Sequence, residues 1–145
     1  MLHKPKHKTA WVGLILVMAL SLAACSDSQL RKASVAIRDF AVALDKVQDG
    51  YTEAYKAGHI ATDDYVATQR IIIEIAQAGQ VATKAVRDLH DKKGALAGIE
   101  VALNATEKLV TEGTLHIKNP TSRATITLSI LALRSVLTTT KAFLV

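Results

Sequence analysis

The chain has 145 residues, enough for one domain with a hydrophobic core; half of them are apolar and only 4% aromatic. Its formal charge is +5, yet acidic and basic residues are interspersed, with no long block of one sign, which argues against a nucleic-acid-binding patch. Cys25 is the single cysteine, so no internal disulfide is available and packing must supply the stability.

Lys4, Lys6 and Lys8 form a basic head, and the apolar run WVGLILVMALSL follows at residues 11–22. Leu22-Ala23-Ala24-Cys25 comes next. A positive head, an apolar stretch of about 7–15 residues and small residues at a cut are the parts of an export signal. Small side chains suit a peptidase that holds the substrate extended in shallow pockets. The segment resembles a bacterial lipoprotein signal, whose leucine, small, small, cysteine box these four residues match.

The resemblance implies a cut between Ala24 and Cys25, a diacylglycerol on the Cys25 thiol, and an acyl chain such as palmitate on the new amino group. It divides the chain into a signal at 1–24 and a mature domain at 25–145, with membrane lipid as the partner held through Cys25. Each buried CH₂ contributes about 0.8 kcal/mol, and two or more chains give stable anchoring. Ser26 follows Cys25, and the first acid is Asp27. In diderm bacteria an Asp directly after the cysteine favours inner-membrane retention. By the same resemblance, the periplasmic face of the outer membrane is the expected destination.

Two other readings of this segment stay open. An uncleaved transmembrane helix needs roughly 20 apolar residues, and residues 11–24 supply fewer. An ordinary cleaved signal would leave Cys25 as a free thiol in an exported protein, which is reactive or pairs between chains. Cleavage before Cys25 also removes three Lys and no acid, leaving 15 basic against 13 acidic residues, or +2. Both Met residues and the only Trp, Trp11, leave with the signal.

The first mature helix is predicted to start within 26–28 and to run to about 56. Leu30, Ala33, Ile37, Phe40, Leu44, Val47, Tyr51 and Ala54 follow steps of three and four, the spacing of a packed seam. Gly58 is a suitable stop. A second helix is expected from an N-cap at Thr62, with Asp63 and Asp64 at the positive end of the dipole. Ile71, Ile75, Ala78, Ala82, Ala85 and Leu89 keep the rhythm, and Ile72 and Ile73 widen the apolar face. The small residues Ala78, Gly79, Ala82 and Ala85 would let a neighbouring helix approach closely. Lys92, Lys93 and Gly94 read as its end.

A third helix is predicted over 94–112, with Leu96, Ile99, Leu103, Thr106 and Val110 on one face and Gly113 as its stop. Asn119 as N-cap and Pro120 at the first helical position open the last element. Its segment 125–130, TITLSI, alternates like a strand. Ile126, Ile130, Leu133, Leu137 and Leu144 fit a helix instead, and a lone strand would have nothing to pair with. Short connections place consecutive helices antiparallel. The fold class is therefore all-α, an up-down four-helix bundle, with a three-helix bundle as the alternative.

No group with catalytic spacing emerges. Bundle di-metal sites need Glu-x-x-His pairs, whereas Glu74, Glu100 and Glu107 are followed three places on by Gln77, Leu103 and Val110. There is no Cys-x-x-Cys-His haem motif and no Gly-x-Ser-x-Gly elbow. His59, His90 and His116 fall near helix ends; His59 and His116 would share one end, where Asp63 or Asp64 could complete a weak metal site. Tyr51, Tyr55 and Tyr65 read as packing around the first hairpin. Residues 124–145 carry only Arg134 and Lys141 as charges and are long enough to enter a bilayer, although a buried bundle helix fits better.

These features lead to a non-enzymatic, lipid-anchored, periplasm-facing helical module that interacts with an envelope protein or plays a structural part, with no cofactor and no nucleic acid. A small-ligand or metal-binding bundle and a membrane-active, lysis-type lipoprotein are the alternatives.

Overall fold

The computed structural model describes residues 8–145 other than Leu89, with side chains from Ser28 onward. Among these residues there are four α-helices and no strand: α1 (Lys8–Lys56), α2 (Thr62–Arg87), α3 (Lys92–Lys108) and α4 (Pro120–Leu144). One π-helical turn, Leu109–Gly113, extends α3. The chain is an all-α four-helix bundle. α1 packs chiefly on α4 and α2 on α3, while α1–α2 and α3–α4 contacts close the ring. Because α2 and α3 are separate elements, the three-helix alternative does not apply.

The start of α1 differs from the predicted one at 26–28, since the helix reaches back to Lys8. No Gly or Pro interrupts residues 14–49, so the short polar signal at 26–28 is overridden by an Ala- and Leu-rich stretch of high helix propensity. The seam is as the spacing predicts. Leu30, Ala33, Phe40, Leu44, Val47, Tyr51 and Ala54 are buried, and Ile37 packs half-buried beside them. From Leu30 onward α1 matches α2 (26 residues) and α4 (25 residues) in length. α1 ends in a Schellman turn: Gly58 takes φ 72, His59 N–H donates to the Ala54 carbonyl at 2.8 Å, and Gly58 N–H donates to Tyr55 at 2.9 Å.

α2 starts one residue differently from expectation. Ala61, not Thr62, occupies the N-cap and supplies no side-chain bond, while Asp63 and Asp64 sit in the first turn as predicted. α2 also stops at Arg87, well before Lys92 and Gly94. His90 adopts φ 48, Asp91 N–H reaches back to the Ala85 carbonyl at 2.8 Å, and the Asp91 carboxylate accepts from Gly94 N–H at 3.0 Å. Asp91 thereby caps α3, and Lys92-Lys93-Gly94 begin a helix rather than end one. The capping carboxylate outweighs the unfavourable placement of two lysines in a first turn.

The α2–α3 contact explains the other departures. Ala78, Ala82 and Ala85 on α2 meet a second small-residue face on α3, made of Ala95, Gly98, Ala102 and Ala105, while Gly79 makes room for the Phe40 ring of α1. A Cβ at Gly98 would lie 2.9 Å from the Ala78 carbonyl oxygen and 3.0 Å from the Ala82 nitrogen, so the backbones themselves touch. This approach turns α3 so that its alanines face inward, and Leu96, Leu103 and Val110 flank the core half-buried. Ile99 and Thr106 are buried as expected. On α2 the same approach buries Ile72 and leaves Ile71 half-buried and Ile73 53% exposed, so Ile73 does not widen the core face.

α4 is helical throughout, and the strand-like alternation is not used. The hydroxyls of Thr125, Thr127, Ser129, Thr138 and Thr140 each donate to the carbonyl four residues back, at 2.8–3.2 Å. These bonds accommodate β-branched and short polar residues in a helix. The predicted cap is present: Asn119 Oδ1 accepts from Ser122 N–H at 2.9 Å, with Pro120 next. Ile126, Ile130, Leu133, Leu137, Thr140 and Leu144 are all buried. By length and composition α4 could cross a membrane, but this stripe packs mainly on α1.

Candidate functional site

The side chain of Cys25, the predicted lipid-attachment residue, lies outside the described residues, as does the signal's basic head through residue 7. Cys25 falls within α1, and among the described residues Leu30 is the first buried one after it. At about 1.5 Å of rise per residue, Cys25 is about 8 Å along the helix from the first core layer. The bundle therefore has a near end, at the Cys25 side, and a far end.

The far end collects Tyr51, Tyr55, Tyr65, His59 and His116, and His90 lies at the other end, as the antiparallel reading predicts. Tyr55 and Tyr65 stack with ring centroids 4.3 Å apart and an interplanar angle of 8°. The hydroxyls of Thr52 and Tyr65 are 3.2 Å apart. His59 Nδ1 lies 2.9 Å from Ser122 Oγ, and Lys118 N–H donates to the His59 carbonyl at 2.8 Å, tying the first hairpin to the start of α4. Arg123 adds two bonds to the Ile117 carbonyl. His116 Nδ1 sits 3.5 Å from Asp64 Oδ1 on an exposed surface. His59 and His116 do share an end, with Asp64 beside the latter, yet among the described residues no three His, Cys, Asp or Glu side chains come together to hold a metal.

Tyr51 is the chemical exception at this end. Its side chain is fully buried, and its hydroxyl has no hydrogen-bond partner. The oxygen points at Gly113 in the π-helical turn, where a Cβ would come within 2.7 Å. Burial raises the phenol well above its ordinary range, so Tyr51 is neutral at physiological pH. Its place in the α1 seam was legible from spacing, whereas the facing π turn had no sequence signal beyond Gly113.

The near end carries an arrangement that spacing along one helix does not reveal. Leu30, Arg31 and Ser34 of α1 face Val86 and Arg87 of α2, and His90 closes a groove of about 240 Å³ between them. A second groove of about 320 Å³ adjoins it through Ser34, Val86 and Arg87 and adds Arg38. Among the described residues neither Arg31 nor Arg38 has an acidic partner, and Arg87 meets only Asp88, at 3.2 Å on an exposed surface. The Lys92 ammonium donates to Gln29 Oε1 at 3.0 Å and ties α3 to α1 here.

Farther along, Glu100–Lys141 (3.1 Å), Glu107–Arg134 (3.0 Å) and Glu74–Lys108 (3.7 Å) pair across neighbouring helices. They are exposed and contribute register more than stability. No protein-family profile, curated protein or solved structure matches this chain.

Proposed function

We propose that the chain is a lipoprotein whose helical bundle faces the periplasm, anchored by acylated Cys25 after removal of residues 1–24, and that the bundle serves as an interaction or structural module of the envelope. The box Leu22-Ala23-Ala24-Cys25 behind a basic head and an apolar run carries this reading. Exposed Val35 and Val42 on α1 and Leu128 and Leu131 on α4 support the interaction role.

The test is metabolic labelling with radioactive palmitate. The wild-type chain takes up label and the Cys25→Ser variant takes up none. A wild-type chain that stays unlabelled overturns the anchor.

A further inference from the structure

Charge is not evenly spread along the bundle. The half nearer Cys25 (residues 25–42, 75–103 and 132–145) holds nine Lys and Arg against five acids, a net +4. The other half (residues 43–74 and 104–131) holds six against eight, a net −2. The near-neutral total of the mature chain conceals this polarity, which appears only when the helices are aligned antiparallel.

Distance along α1 gives the polarity a meaning. Arg31 lies six residues after Cys25, about 9 Å along the helix, whereas Arg38 is about 20 Å away. Charges interact across roughly 8 Å at physiological ionic strength. If Cys25 is fixed in a bilayer, Arg31 and the neighbouring groove sit at headgroup depth and Arg38 stands clear of it. Arg31 and Arg87 line the groove with Ser34 and His90, above the buried Leu30 and Val86, and Arg87 also meets the exposed Asp88 at 3.2 Å. At about 240 Å³ it is small and open, suited to one phosphodiester rather than to a bulky ligand. Arginine forks match phosphate oxygens in geometry as well as charge. His90 holds φ 48, a conformation that glycine would adopt with less strain, and its imidazole lines this groove.

We propose that the near end is a docking surface for anionic phospholipid headgroups, with Arg31 and Arg87 clamping a lipid phosphate, His90 beside it, and Lys32, Lys92 and Lys93 meeting neighbouring headgroups. The proposal rests on the lipid-anchor reading, because acylation of Cys25 is what holds this end against the bilayer. The anchor then sets position and the basic end sets orientation, standing the bundle upright with its acidic far end toward the periplasm. Clustered Lys and Arg at a membrane surface act in this way on anionic lipid.

The experiment uses the full chain purified from membranes and returned to vesicles of phosphatidylcholine alone or with phosphatidylglycerol. A fluorophore is placed through Val35→Cys near the groove, or through Leu115→Cys at the far end; both positions are well exposed. Energy transfer to an acceptor in the headgroup layer reports height. Transfer from position 35 is expected to rise with phosphatidylglycerol, and the rise is lost at about 1 M salt, where screening shortens to about 3 Å. The rise is also lost in the Arg31→Glu/Arg87→Glu variant and kept in Arg38→Glu, while transfer from position 115 stays low in both vesicles. Equal transfer from position 35 in the two compositions, or a rise that survives the double charge reversal, overturns the docking surface. Fluorophore that also enters at Cys25 marks failure of the anchor reading instead, since an acylated Cys25 has no thiol to label.

Discussion

Gly98→Ala is the substitution whose sign separates local propensity from tertiary packing most cleanly. In a helix interior, alanine is favoured over glycine by about 1 kcal/mol, so α3 considered alone predicts stabilisation. In the bundle, the new Cβ would meet the Ala78 carbonyl oxygen at 2.9 Å, the Ala82 nitrogen at 3.0 Å and the Ala82 Cβ at 3.1 Å. Two of these atoms are backbone and cannot turn aside, so α2 and α3 must separate. Overpacking of this kind costs about 1–3 kcal/mol, and separation also loosens the facing alanines along both helices. The expected net result is a loss of about 1–2 kcal/mol and a fall of several degrees in Tm. Urea unfolding followed by circular dichroism, on the chain starting at Ser26, reads this as a lower midpoint with unchanged slope. Adding Ala82→Gly removes one of the three contacts and should recover only part of the loss, a coupling that a double-mutant cycle measures. Stabilisation of Gly98→Ala by about 1 kcal/mol would refute the close α2–α3 contact.

Other substitutions test separate features. Tyr51→Phe removes a buried hydroxyl without a partner and should be neutral or stabilising by up to about 1 kcal/mol; a loss above that in urea unfolding would show a partner for the oxygen. Because burial raises the Tyr51 phenol in the folded state, its contribution is intact below the unfolded value near pH 10. Above that pH the unfolded chain loses the proton first, so stability should fall by about 1.4 kcal/mol per pH unit, a slope that Tyr51→Phe reduces. Asn119→Ala removes the α4 cap and should cost about 1 kcal/mol in the same assay. Ile72→Ala should cost about 2–5 kcal/mol and Ile73→Ala under about 0.5 kcal/mol, since the first is buried and the second exposed; equal losses would contradict the assigned face of α2.

Features governed by local chemistry or by large apolar residues at regular spacing were readable in the sequence. The α1 seam, the Asn119-Pro120 start and the α4 core stripe follow from periodicity and capping alone. Features set by a partner helix were not. Leu96, Leu103 and Val110 outrank alanine in hydrophobicity, so periodicity assigns them the inner face of α3, yet the distance gained by apposing Ala95, Gly98, Ala102 and Ala105 to α2 decides the rotation. The sequence anticipated that Ala78, Gly79, Ala82 and Ala85 would admit a close neighbour, without showing that α3 would answer with its own small face. Asp91 is hard to read as a cap because Lys92-Lys93-Gly94 resembles a helix end, and only the bond to Gly94 reveals the opposite sense. The role proposed for Cys25 rests on its sequence neighbours alone, whereas the Arg31, Arg87 and His90 groove joins residues 56 or more positions apart and needs α1 and α2 side by side.

The most direct test of the lipid-anchored reading is mass spectrometry of the amino-terminal peptide from protein extracted from bacterial membranes. The predicted peptide begins at Cys25 and carries a diacylglyceryl group on sulfur, with a further acyl chain on the amino group. A peptide that retains residues before Cys25, or one that begins there with an unmodified thiol, would contradict the anchor and leave the four-helix bundle without its proposed tether.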